Sequence, residues 1–266
     1  MSTFTRSAIR LLIPMVASAV VVVLLWIAFL ELFDINSMVG KPPSAVWEYL
    51  VTDDDAAANR ATVFGNLAVT LRDASLGFAA GLVAAIVLAV AFFLARGVEQ
   101  AVMPVAMLLR SVPLVAMTPL IMLVFGRDAG GIAVIGGIVV FFPALVNLVF
   151  GLRSAPRPTI DLVTAYGGGK VTVLRKVAVP AALPALFASA RIAVPGALIG
   201  ALIAEWLATG QGTGGAILRA VGGFRYDELW ASVVVLTATS IVLYTLVGLV
   251  ETAVVTRFFP DRAAKD

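Results

Sequence analysis

Six apolar runs of roughly membrane-spanning length are separated by polar segments along this chain. A helix needs about 20 apolar residues to cross the hydrocarbon core of a bilayer. Of the 266 residues, 61% are hydrophobic and 13% are charged, whereas soluble domains carry about 25% charged residues. The pattern predicts an all-α, polytopic membrane helical bundle of six spans. The predicted spans are Leu11–Leu30, Leu76–Ala95, Ser111–Phe125, Gly131–Phe150, Arg191–Leu207 and Trp230–Val250.

The first run has two interpretations. Arg6 and Arg10 precede Leu11–Leu30, as basic residues precede the apolar region of a signal peptide. The run is longer than a typical signal-peptide core, and no cleavage site of small residues follows before Glu31. We therefore expect it to be a retained span.

The segment between the first two spans is polar. Within it, Ser44 is a suitable N-cap for a short amphipathic helix, Ala45–Val51, that carries Trp47 and Tyr49. Aromatic residues of this kind are enriched at membrane–water interfaces. We expect an interfacial helix outside the membrane.

Lysine and arginine indicate the orientation. With the N-terminus inside, 13 of the 19 lysines and arginines fall on the inner side, which favours both termini in the cytoplasm. The charged turn Arg96–Gln100 and the long polar loop Gly151–Ala185 then lie inside, and the glycine-rich loop Thr209–Leu229 lies outside. The six remaining cations are Lys41, Arg60, Arg72, Arg127, Arg219 and Arg225.

The residue types that are absent limit the chemistry. The chain has no cysteine and no histidine, which removes thiolate ligands and the commonest general base. Gly167-Gly168-Gly169-Lys170 is not a nucleotide-binding P-loop, because Val171 stands where the magnesium-binding Ser or Thr is needed and no strand precedes it. No basic segment interleaved with aromatic residues indicates a nucleic-acid partner. We expect no cofactor and no catalytic or metal site.

The long inner loop has a pattern of its own. Gly167 follows a stretch, Asp161–Tyr166, that suits a short helix, and glycine ends helices readily because it adopts the left-handed conformation. Pro180 and Pro184 suit helix starts or rigid turns. This pattern fits either a helix on which a soluble protein docks or an ordinary surface loop. We favour the docking helix.

The same loop resembles the cytoplasmic loop of ABC importer permeases. That family's motif is Glu-Ala-Ala, three residues, Gly, nine residues, Ile, one residue and Leu-Pro. Its acid, glycine, aliphatic residue and final pair correspond to Asp161, Gly167, Val177 and Val179-Pro180. The family's two alanines are replaced by leucine and valine here. The resemblance assigns an ATPase-coupling role to Asp161, Leu162, Val163, Thr164, Ala165, Tyr166, Gly167, Lys170, Val177 and Pro180.

Segments outside the loop resemble the nitrate, sulfonate and taurine branch of this family. They are Lys41–Trp47, Thr70–Phe78, Ser111–Gly126 and Ala204–Gly214. The match covers most of the chain. It implies one permease domain, with a core of about 62–252, an N-terminal span and outer segment at 1–61, and a coupling loop at 153–186.

The resemblance also implies a function and partners. The chain would be the permease subunit of an ATP-driven importer in a bacterial inner membrane, and ATP would be hydrolysed elsewhere. Its partners would be a cytoplasmic ATPase dimer, an extracytoplasmic solute-binding protein and a second permease, either a copy of this chain or a different one. The substrate would be a small organic or inorganic anion, such as nitrate, a sulfonate, taurine or an aromatic acid.

Residues in or near the spans are candidates for the transport pathway. Pro113 and Pro119 are expected to bend the third span, as Pro195 is to bend the fifth, which would permit segments to rock during alternating access. Met117 and Asn147 are further candidates, although packing and hydrogen bonding between helices are the commoner roles for such residues.

Glu205 is the most informative single position. An ionisable residue near a span is rare and by default functional, so we expect Glu205 to line a gate. The competing interpretation is a solvated carboxylate at the outer interface. Two other classes of protein stay open: a secondary transporter, which should have ion-coupling carboxylates at mid-span, and an intramembrane enzyme, for which the chain offers few catalysts.

Overall fold

A computed structural model describes the backbone of residues 3–258 and the side chains of residues 17–256. This part of the chain is helical, without strands. The cations Arg6, Arg10, Arg257, Arg262 and Lys265, which contributed to the predicted orientation, lie outside the described side chains. The helices are α1 (Thr3–Leu32), α2 (Pro43–Trp47), α3 (Ala56–Leu94), α4 (Arg96–Arg110), α5 (Leu114–Phe125), α6 (Ala129–Arg153), α7 (Arg157–Ala165), α8 (Lys170–Val173), α9 (Val179–Ala204), α10 (Gly212–Gly222) and α11 (Tyr226–Phe258).

Three wide π-helical turns extend these helices without interrupting them. The turn Glu48–Thr52 continues α2, Leu174–Ala178 joins α8 to α9, and Glu205–Thr209 continues α9. As a result, Lys170–Thr209 is one continuous helix of 40 residues.

Among the residues that the structure describes, four helices are long and apolar enough to span a membrane: Ala56–Leu94, Ala129–Arg153, Lys170–Thr209 and Tyr226–Thr256. A fifth span is formed if α4 and α5, which meet at an angle of 109°, are counted together. In α1, the part with described side chains is the shorter apolar stretch Ala17–Leu32. The prediction of an all-α membrane bundle is confirmed, and the count of six spans stays a prediction.

Small residues allow α3, α6 and α9 to pack closely at the centre of the bundle. A Cβ atom built on Gly77 would lie 2.6 Å from the Cα atom of Gly136, and one built on Gly200 would lie 2.6 Å from the same atom. One helical turn along α3, Gly81 packs against Gly137 and Val140. Membrane helices approach each other through such small residues because lipid offers no hydrophobic drive for association.

Apolar clusters fill the bundle on either side of this crossing. One, the α7-end cluster, contains Phe92, Leu145, Leu152, Val173 and Val177. Another, the Glu205-end cluster, joins α5, α6 and the end of α9 through Ile121, Met122, Ile132, Ile135 and Ala204. The two clusters lie at opposite ends of the continuous helix Lys170–Thr209.

The short helix predicted between the first two spans is confirmed, and its place at the membrane interface stays a prediction. Pro42 is its N-cap, so the prediction of Ser44 as the cap was wrong. The second span, which it adjoins, begins earlier than predicted. The continuous helix over 43–52 includes the predicted Ala45–Val51. The span α3 begins at Ala56 rather than Leu76, because a helix does not end where its apolar run ends. Asn59 donates a hydrogen bond to the Tyr49 carbonyl at 3.0 Å, and Arg60 donates one to the Leu50 carbonyl at 2.6 Å. These bonds fix the polar first turns of α3 against the interfacial helix.

The bounds of the third predicted span, Ser111–Phe125, were wrong, and so was the charged turn predicted before it. Arg96–Gln100 is the first part of the amphipathic helix α4, and Ser111 lies in the break before α5. Pro113 forms the N-cap of α5 in extended backbone. Proline restricts itself and the residue before it in this way, so the chain changes direction here instead of continuing one helix.

The predicted loop Gly151–Ala185 and the predicted start of the fifth span at Arg191 were also wrong. Most of this segment is helical, and Pro184 and Pro195 lie within α9 without ending it. Arg191 sits inside the helix because it is paired: its Nη1 atom is 3.1 Å from a Glu251 carboxylate oxygen of α11. The glycine-rich loop Thr209–Leu229 likewise contains a helix, α10.

Candidate functional site

The predicted helix of the inner loop is present and ends as expected. The helix α7 has nine residues, and Gly167 follows it with a φ of +81°. The Gly167 amide donates to the Thr164 carbonyl and the Gly168 amide donates to the Val163 carbonyl, both at 2.9 Å. This is the pattern of a Schellman C-cap, which favours glycine at the left-handed position.

One face of α7 anchors it to the bundle. Ile160 and Val163 pack against the α7-end cluster, in which Val177 is buried. Lys170 donates from Nζ to the Leu94 carbonyl at 3.3 Å and so contacts the C-terminus of α3. The chain that follows α7 is therefore held against the spans instead of being presented outward. The residues that hold it are Lys170, Val177 and the half-buried Pro180.

The opposite face of α7 is exposed in the described part of the chain. Leu162 is 57% exposed and Tyr166 is 87% exposed. Asp161 and Ala165 are exposed as well, and Thr164 is exposed on the other side of the helix, toward Ile160. Gly167 faces open space, since no atom lies within 4 Å of a Cβ atom built on it. Leu162 and Tyr166 thus form an exposed apolar surface on a helix with a well-defined C-cap. A partner protein would bury such a surface.

Glu205 lies at the other end of the bundle, at the end of α9. Its side chain is fully buried, so the interpretation as a solvated interfacial carboxylate was wrong. The Gly214 amide at the start of α10 donates to Oε2 at 2.7 Å. Gly212 has a φ of +64°, and a Cβ atom on it would collide with the same carboxyl group. The glycines thus let the backbone of α10 close around Glu205.

Thr70 extends this contact to α3. Its hydroxyl accepts a hydrogen bond from the Thr213 amide at 2.8 Å and donates to the Asn66 carbonyl at 3.2 Å. Asp73, one turn further along α3, is also buried. Among the described residues, Oε1 of Glu205 and the Thr213 hydroxyl have no hydrogen-bond partner. Glu205 therefore connects α9 to α10, and Thr70 connects α10 to α3.

The structure brings some of the other pathway candidates near Glu205. Met117 packs on the Glu205-end cluster, which includes Ala204. Pro113 starts α5, and Pro119 lies within α5 with an exposed ring. Asn147 is half-buried on α6 at the level of Leu145 and Leu148, which belong to the α7-end cluster. The pathway role of these residues stays a prediction.

The fold is that of a polytopic helical membrane protein. The helix α7 is exposed at one end, and at the other end α10 encloses the buried carboxylate of Glu205, an arrangement called here the Glu205 cradle. The family model for the inner membrane component of binding-protein-dependent transport systems matches residues 77–260, more than half of the chain. The chain belongs to this family, whose members are permease subunits of ABC transporters.

Several curated proteins are similar to the chain. A probable ABC transporter permease of Haemophilus influenzae is 28% identical over 89% of this chain and 94% of its own length. The formylaminopyrimidine transport permease of Halalkalibacterium halodurans is 29% identical over 86% of this chain and 92% of its own. The nitrate import permease of Leptolyngbya laminosa is 25% identical over 73% of this chain and 69% of its own. This family membership favours a transporter subunit over a secondary transporter or an intramembrane enzyme.

Proposed function

We propose that the chain is one of two permease subunits, each a single domain, that enclose the pathway of an ATP-driven importer with their termini in the cytoplasm. The observation that carries this proposal is the outward face of α7, where Leu162 and Tyr166 are exposed on a helix fixed to the spans by its other face. An ATPase dimer in the cytoplasm would bury that face. An extracytoplasmic solute-binding protein would deliver the substrate to the opposite side.

The continuous helix supports a direct route for coupling. It begins at Lys170, five residues after Ala165, the last residue of α7, and its last wide turn contains Glu205. A displacement of α7 would pass through the α7-end cluster and along this helix to α10. In this proposal, Glu205, with Met117, Pro113 and Pro119 nearby, belongs to the gate on the outer side, and Asn147 lies further in.

The substrate that we propose is a small anion of the nitrate, sulfonate, taurine or aromatic-acid type. Relatives of the chain carry the names of nitrate, taurine and aliphatic sulfonate permeases. Two other relatives are named as permeases for compounds of a different class, a formylaminopyrimidine and riboflavin. Ligand screening of the binding protein that co-purifies with this chain would decide between the two classes.

Docking on α7 is tested by changing its C-cap. The tagged chain is purified from its native membrane in mild detergent, and a co-purifying ATP-binding-cassette ATPase is identified by mass spectrometry. We expect Gly167→Asp to weaken ATPase binding by about tenfold or more, because the side chain disturbs the left-handed cap and adds charge to the docking face. The variant should still insert and elute as the wild-type chain does, since the new side chain meets open space.

Gly97→Asp is the matched control. Gly97 also faces open space, but it lies in α4 and has no positive φ. It should retain the ATPase. A second variant, Leu162→Ala with Tyr166→Ala, removes the apolar face while keeping the cap and should also lose the ATPase. Wild-type recovery of the ATPase with both α7 variants would contradict docking at this helix.

A further inference from the structure

A cleft opens between α7 and the ends of the spans, on the side of α7 that faces away from Leu162 and Tyr166. It consists of two adjoining cavities of about 670 Å³ and 470 Å³. The first lies between α3, α6, α7 and α8, and the second follows α4. Arg96 and Arg153 line both cavities, so they form one continuous surface.

The cleft is basic. Arg96, Arg153 and Lys170 line it, and Glu99 is the single acidic residue among its lining. Glu99 pairs with Arg153 across α4 and α6, and Lys170 contacts the last carbonyl of α3. One acid against three cations leaves an excess of positive charge. Arginine side chains suit phosphate because they donate two parallel hydrogen bonds to it.

Apart from Gln100 and Thr164, the rest of the lining is apolar or glycine. Phe92 and Phe93 come from the last turn of the span α3. Met103, Pro104 and Met107 continue the surface along the amphipathic helix α4. The cations therefore lie where the helices α3 and α6 end, and the apolar side chains run from there along α4. A ligand that fits both parts has an anionic head and an apolar tail.

We propose that this cleft binds the headgroup of an anionic phospholipid, with an acyl chain along Met103 and Met107. Basic pockets between spans on the cytoplasmic side bind such headgroups, so the proposal rests on the proposed orientation of the chain. The ATPase is not the occupant, because the cleft lies on the side of Ile160 and Thr164, opposite the exposed docking face of α7. A lipid here would connect α7 to the ends of α3 and α6.

The test measures lipid binding to the purified full-length chain without ATPase, so it is independent of docking. Phosphatidylglycerol is titrated into the protein in detergent, and bound lipid is counted by native mass spectrometry. Arg96→Gln should weaken binding by about fivefold, and Glu99→Gln should tighten it by a similar factor, as each changes the charge of the cleft by one. Tighter binding on removal of an acid is not expected from a general loss of structure.

Arg175→Gln is the control, because Arg175 is an exposed cation of the same region that does not line the cleft. It should bind phosphatidylglycerol as the wild-type chain does. Phosphatidylcholine with the same acyl chains should bind at least about fivefold more weakly, and soluble glycerol phosphate should not compete. Equal binding of the two lipids, equal effects of Arg96→Gln and Arg175→Gln, or full competition by glycerol phosphate would overturn the proposal. If lipid binding fails while Gly167→Asp still releases the ATPase, the proposed function stands without this site.

Discussion

Gly136→Leu is expected to prevent the chain from assembling into a stable bundle. A Cβ atom at this position would lie 2.8 Å from the Cα atom of Gly77, and α9 approaches from the other side through Gly200. Both neighbours are backbone, so no side chain is able to move aside. Forcing α3, α6 and α9 apart should cost about 3 kcal/mol or more, because the packing of all three helices is lost together. The measurement is the yield of monodisperse protein and its thermal midpoint in detergent.

A graded series makes this result specific. Gly136→Ala should lower the thermal midpoint less than Gly136→Leu, and Gly200→Ala should resemble it. Gly65→Ala and Gly65→Leu are the controls, because Gly65 lies in α3 like Gly77 but has no atom within 4 Å of an added Cβ atom. Those variants should be as stable as the wild-type chain or slightly more so, since alanine and leucine favour helices over glycine. A Gly136→Leu protein with a wild-type midpoint would contradict the close crossing.

Glu205→Ala is expected to lower the free energy of unfolding by about 3 kcal/mol, because it leaves the buried Gly214 amide without its acceptor and creates a cavity. The loss should appear as a lower thermal midpoint and as faster hydrogen exchange in α10, whose first turn closes over the carboxyl group. Loosening α10 should also raise ATP hydrolysis in the absence of the binding protein if this end forms the gate.

Glu205→Gln separates the hydrogen bond from the charge. Its amide oxygen keeps the bond to Gly214, so the thermal midpoint should stay near that of the wild-type chain. Glu48→Ala, an exposed acid in the interfacial helix, controls for the loss of any carboxylate on that side. If Glu205→Ala is as stable as Glu48→Ala, the cradle contributes nothing to stability. Wild-type ATPase activity in both Glu205 variants would contradict a role in the gate.

The parts of the fold that follow from local chemistry were predictable from the sequence. Apolar length predicted the spans α6 and α11, and the glycine at position 167 predicted the end of α7. Helix boundaries that fall within polar segments could not be predicted from apolar length. Lys170 begins a helix that continues into a span, and its polar first turns resemble a loop because nothing in their composition shows that Val173 and Val177 are buried.

The contacts around Glu205 depend on tertiary structure. Thr70, Glu205 and Gly214 come from three helices, and no spacing in the sequence relates the first to the other two. The sequence identified Glu205 as unusual because a carboxylate is costly near lipid. That the carboxylate accepts a bond from α10, instead of facing water, follows only from the positive φ of Gly212 and the turn that it allows.

The 40-residue helix Lys170–Thr209 is longer than a bilayer requires. At 1.5 Å per residue it extends about 60 Å, roughly twice the thickness of the hydrocarbon core. Its first turns carry Lys170, Arg175 and Lys176, so part of the excess length suits a position outside the hydrocarbon core. A thinner bilayer imposes a larger tilt on an apolar stretch of fixed length. Because one end of this helix adjoins α7 and the other contains Glu205, we expect a change in bilayer thickness to alter the position of both together. In the coupling that we propose, the lipid environment would then act on the same helix that joins the two sides of the transporter.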